Sequence, residues 1–121
     1  MKIAITSQGK SLKDPIDQRF ARAKYFLIVD NETNDVEVVP NSRVSAGSGA
    51  GIQTAQFMVD RGIGVILTGN LGPNASKVLN ESGIKVFINN KGTGESALSD
   101  YKNGKLTHAT QANVSSHFGL R

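Results

Sequence analysis

The 121-residue chain contains no cysteine and no tryptophan. Without cysteine there are no disulfides and no thiolate metal sites, a composition that fits a cytoplasmic protein. Aromatic residues make up only 6%. Proteins that hold single-stranded nucleic acid stack bases on aromatic rings along a basic groove. Here the net charge is +4, yet no run of like charge exceeds two residues. Nucleic acid is therefore not an expected partner. Long apolar runs are missing too; none approaches the roughly 20 residues of a membrane helix. The opening stretch "MKIAITSQGK" has only Ile3, Ala4 and Ile5 as its apolar core. That is too short for a signal peptide and reads as a strand. No membrane partner is expected.

What is present suits one domain. Hydrophobic residues are 38% of the chain, enough for a single core. The charge is uneven. Residues 1–24 hold six basic and two acidic side chains, residues 25–60 one and five, and residues 61–121 seven and three.

The pattern along the chain alternates strand and helix signals. Residues 2–6 read as a first strand and residues 7–14 as a polar loop. Ile16 and Phe20, four apart, predict a short helical turn over 16–23. "YFLIVD" at 25–30 and the segment 36–40 form a hairpin around "NETN". Asp30, Glu32, Asp35 and Glu37 crowd its tip, as expected of a short solvated turn. Ile52, Ala55, Met58 and Val59 then recur at helical spacing up to Gly62. "VILT" at 65–68 is a buried strand. Pro73 starts a second helix that ends at Gly83, and residues 85–88 are a fifth strand. "GIGV" and "GIKV" repeat one unit: a helix-ending glycine, an isoleucine, one residue, a strand valine. Such βαβ units predict parallel strands with right-handed crossovers. Residues 95–101 read as a last short helix. The expected fold is α/β: a mixed five-stranded sheet with an antiparallel hairpin and parallel βαβ units, with helices packed on it. The domain is expected over 1–106, with a polar tail over 107–121.

In open α/β sheets ligands bind beyond the carboxyl ends of the parallel strands. Three loops are expected there: 7–9, 45–51 and 69–72. Two of them run into helix N-termini, where unpaired N–H groups and the helix dipole favour anions. The candidate ligand-binding residues are Ser7, Gly47, Ser48, Gly49, Gly51, Gly69 and Asn70. "GSGAG" is neither a dinucleotide fingerprint nor a P-loop, because the glycine spacing differs and no "GK[ST]" follows. No catalytic residue and no metal ligand is assigned. The positions where a metal-dependent nuclease needs carboxylates read Thr6, Ser7 and Thr68, and both histidines, His108 and His117, lie in the tail.

The chain resembles the dinitrogenase iron–molybdenum cofactor biosynthesis family. The resemblance rests on "MKIAITSQG", "QRFARAKYFLIVD", Asn41, "GAGIQTAQFMVDRGIGVILTGNLGPNASKVLNESGIKVF" and "GTGESALSDYKNGKL". It implies a ribonuclease H-like fold. It also implies a non-catalytic carrier, with an iron–molybdenum or iron–sulfur type cluster as cargo. Family members often carry a histidine in the glycine-rich loop where Ser48 stands here. Serine is a poor ligand for soft iron–sulfur sites. The expected function is a small carrier of an anionic cluster or related anion, with a protein partner also expected. The alternative is a metal-free regulatory or protein-interaction module on the same fold, and a phosphoester hydrolase is the weakest reading.

Overall fold

The computed structural model describes residues 1–42, 49–106 and the backbone of 108–109. Nine elements follow in chain order: β1 Lys2–Ser7, β2 Tyr25–Asp30, β3 Val36–Pro40, α1 Ala50–Asp60, β4 Ile63–Leu67, α2 Pro73–Glu81, β5 Lys85–Phe87, α3 Gly94–Lys102 and β6 His108–Ala109. The strands form one sheet in the order β3-β2-β1-β4-β5-β6. β2 is antiparallel to both β1 and β3, whereas β1, β4 and β5 run parallel. The five expected strands thus lie in one mixed sheet, in the expected directions.

The "GIGV" and "GIKV" repeats act as read. Gly62 and Gly83 have φ of +70° and +75°, the left-handed conformation that ends a helix without a Cβ clash. Strand limits shift slightly. β4 starts two residues before the expected 65, and Thr68 lies just past its end. β6 is an addition. Its two residues, within the polar tail, pair antiparallel with β5 in the register Val86↔Ala109 and Phe87↔His108. The remainder of 107–121 lies outside the described residues.

Alternation along the central strands divides the core into two layers. Ala4, Phe26, Ile28, Ile66 and Val86 face α1 and α2, where they meet Ala55, Met58, Ala75 and Leu79. Ile3, Ile5, Leu27, Val29, Val65 and Leu67 face the other way, toward Ala97 and Leu98 of α3. Each fully buried aliphatic side chain contributes about 1.5–3 kcal/mol. The Phe87 and Tyr101 rings meet edge-on at 5.3 Å, pinning α3 to β5. No helix among the described residues is long and apolar enough to cross a membrane.

The expected helical turn over 16–23 is not there. The backbone donors of this segment go to other parts of the chain: Ile16 N–H to the Gly92 carbonyl at 2.8 Å and Asp17 N–H to the Thr6 carbonyl at 3.0 Å. Ile16 packs in the α3 layer and Phe20 in the α1–α2 layer. The segment passes over the end of the sheet from one face to the other, so the two side chains never share a face.

Candidate functional site

The carboxyl ends of β1 and β4, where an open crevice is expected, are covered by residues 16–19. The Thr6 hydroxyl donates to the Asp17 carbonyl at 2.7 Å and lies 2.8 Å from the Thr68 hydroxyl. Gln18 lies across the end of β4. Its carbonyl accepts from the Asn70 backbone N–H at 2.8 Å and from Asn70 Nδ2 at 3.0 Å. Gln18 Nε2 donates to the Asn90 carbonyl at 2.9 Å. Asn90 is itself buried, and its Nδ2 donates to the Thr68 and Phe87 carbonyls at 3.0 and 2.9 Å. Gly69 makes this closure possible, since a Cβ there would stand 2.8 Å from Gln18 Cα.

The sequence-expected residues therefore separate. Ser7 is 0% exposed; its hydroxyl donates to the Gly9 carbonyl at 2.7 Å and accepts from the Gly9 N–H at 3.2 Å. It belongs to a local turn. Gly69 and Asn70 sit beneath and beside Gln18 at the rim. Gly47 and Ser48 lie outside the described residues. Gly49 and Gly51 open α1.

The start of α1 abuts the start of α2. A Cβ at Gly51 would lie 3.7 Å from Ala75 Cβ and 3.8 Å from Ala75 N. Two helix N-termini thus stand side by side, at the end of the molecule that residues 16–19 close. Their N-caps are Gly49 and Gly72, neither makes a side-chain capping bond, and neither helix has an acidic residue in its first turn. The opening N–H groups of a helix have no partner within it. α3 is treated differently. Thr93 and Ser96 exchange side-chain-to-backbone bonds in a capping box, and Glu95 occupies its first turn.

Basic side chains come to the same end. Asp17, 2% exposed, accepts from Arg19 Nε at 3.2 Å, Arg19 Nη2 at 3.3 Å, and the backbone N–H groups of Arg19 and Lys24 at 3.1 Å each. This fixes Arg19 next to Asn70, with which its backbone forms a bridge. Arg22 is buried in the turn that follows. That turn is held by Asn41, whose Nδ2 donates to the Ala21 and Ala23 carbonyls at 2.9 Å each. Asp17, Gln18, Arg19, Arg22 and Asn90 were not among the site candidates. The available signal was the cluster of polar residues between Ile16 and Phe20, two apolar residues that need opposite faces.

A family model described as dinitrogenase iron-molybdenum cofactor matches residues 1–104. The chain belongs to this family. The orange protein of Desulfovibrio gigas, solved in its apo form, is 36% identical; the match covers 93% of this chain and 96% of that one, with a TM-score of 0.90. A NifB-like protein from Thermotoga is 35% identical over 93% of this chain and 97% of its own, with a TM-score of 0.81. An uncharacterised protein of Methanocaldococcus jannaschii is 28% identical over 109 residues, 88% of this chain and 89% of its own. The family match ends just after α3 and leaves β6 outside it.

Proposed function

We propose that this member of the dinitrogenase iron-molybdenum cofactor family is a small non-catalytic carrier. Its cargo is an anionic metal cluster or related anion, held where α1 and α2 begin. The observation that supports this reading is the pair of adjacent helix N-termini, each with a glycine at its N-cap and no acidic residue in its first turn. Two dipole ends together favour an anion more than one does. Gly47, Ser48, Gly49 and Gly51 form the glycine-rich side of the cradle in this reading, whereas Gly69 and Asn70 belong to the Gln18 closure, the Asn70 N–H and Nδ2 both donating to the Gln18 carbonyl. Ser7 is left out because its hydroxyl is committed to Gly9.

The donor set decides how cargo could be held. The chain has no cysteine, and both histidines lie beyond residue 106. These residues fit an anion gripped by backbone N–H groups, not a cluster ligated by thiolates. Gln18, Asn70 and Asn90 hydrogen-bond but do not exchange protons near neutral pH, which supports carriage over catalysis.

Titration with molybdate or sulfate, followed by amide chemical shifts, tests the reading. The amides of Gly49, Ala50, Gly51 and Asn74 should move together. The affinity should be about millimolar, because the start of α2 is exposed and salt screens it. If these amides stay still while others move, the glycine-rich segment is only an entry into α1. Ser48→His should tighten binding of an iron–sulfur cluster roughly tenfold by adding one nitrogen ligand. Equal cluster binding by both proteins removes Ser48 from the cradle.

A further inference from the structure

Four large apolar side chains are exposed among the described residues: Met1, Val36, Val38 and Ile52. Val36 at 40% and Val38 at 37% belong to β3, which ends the sheet on one side. The Asp30 N–H donates to the Asp35 carbonyl at 2.9 Å, and the Asn41 N–H to the Lys24 carbonyl at 3.1 Å. Bonded and non-bonded pairs alternate along an antiparallel ladder. With the register Val29↔Val36, Ile28↔Glu37, Leu27↔Val38, Phe26↔Val39 and Tyr25↔Pro40, Glu37 and Val39 bond inward to β2. Val36, Val38 and Pro40 turn their main-chain groups outward. Among the described residues no strand pairs with this edge, which offers the N–H groups of Val36 and Val38 and the carbonyls of all three.

The two faces of this edge differ. Val36 and Val38 lie opposite Leu27 and Val29 and extend the apolar layer under α3 past its cover. Asp35 and Glu37 point to the other face. There a groove of about 230 Å³ is lined by Lys2, Ile28, Asp30, Asp35, Val36 and Glu37. Arg61 reaches Glu37 at 2.7 Å and Lys2 lines the same groove, so Asp30, Asp35 and Glu37 leave this face with a small acidic excess.

We propose that the free edge of β3 docks an extended segment of a partner protein in which apolar and basic residues alternate. Main-chain bonds would form with Val36 and Val38. The partner's apolar side chains would meet the two valines, and its basic side chains would meet Asp35 and Glu37. Charge selects this occupant over a second copy of the chain. Antiparallel pairing of β3 with itself sets Asp35 and Glu37 on the same face as their own counterparts, and like charges across strands destabilise.

The probe is an eight-residue peptide, capped at both ends, alternating valine and lysine. The Val36 and Val38 amides should shift and gain protection from exchange. The same peptide with glutamate for lysine should bind about fivefold more weakly or worse. The double variant D35K/E37K should reverse that preference. Val38→Pro removes an outward N–H and no ladder bond, so it should abolish binding with the β1 and β4 amides unchanged. If Val38→Pro does not fold, the charge reversal decides. Equal binding of the two peptides overturns the proposal, as does an unmoved Val36 and Val38 at millimolar peptide. A dimer protected at these two amides assigns the edge to a second copy and also overturns it.

Discussion

The backbone of Gln18 lies directly over Gly69, where the lack of a side chain lets residues 16–19 close the end of the sheet. Gly69→Ala places a methyl group against Gln18 Cα and separates the two segments. The variant should lose about 1–3 kcal/mol of stability. Urea unfolding measures this. An unchanged midpoint means that residues 16–19 shift without cost and the closure is loose.

Thr54 poses the opposite problem. Its hydroxyl is the one buried side-chain polar atom among the described residues without a hydrogen-bond partner, and the residue is 0% exposed. Valine has the same shape without the polar group. Thr54→Val should hold or raise stability by about 1 kcal/mol. A clear loss in thermal unfolding would show that the hydroxyl has a role in the folded chain.

A designed cap separates helix stability from anion binding. Gly72 has φ −82° and ψ 168°, an extended conformation open to any L-residue. Gly72→Asp supplies the missing cap and should stabilise α2 by about 0.5–1 kcal/mol. The same negative charge should weaken sulfate or molybdate binding at the paired N-termini. Stability and affinity then move in opposite directions. Unchanged anion shifts beside a raised midpoint place the anion elsewhere.

Asp30 gives a pH signature. The Glu32 N–H, and after it the Thr33 N–H, donate to its carboxylate and hold its pKa below the usual 3.8. For a depressed carboxyl, the stabilisation is present above the unfolded value and is lost as pH falls through the folded one. Asp30→Asn should therefore flatten the fall in stability below pH 3.8 and leave the higher range parallel to wild type. Urea midpoints from pH 2 to 5 would check this, and identical slopes would rule it out.

Much of the fold is legible in the chain itself. Runs such as "YFLIVD" and "VIL" read as strands and lie in the sheet, and the Gly–Ile–x–Val units report helix ends and strand starts together. Spacing failed at Ile16 and Phe20, because four residues apart suits both a helical face and a chain crossing between faces. β6 was missed for a different reason: two polar-flanked residues carry no local pattern, and their pairing with Val86 and Phe87 is set by distance contacts. Among the candidate-site residues, the glycines and Asn70 are picked out by residue type alone. Asp17 and Gln18 do not, since a polar residue in a loop looks the same whether it faces solvent or seals a strand end.

For the carrier proposed above, the closure of residues 16–19 over β1 and β4 bears on how quickly cargo could leave. An enclosed pocket must open before it empties, so its occupant's residence time follows a gating motion. At the paired N-termini, Pro73 and Asn74 of α2 are exposed. For cargo held there, as proposed above, loading and hand-off would proceed by direct exchange with a receiving protein at contact, at a rate set by the receiver.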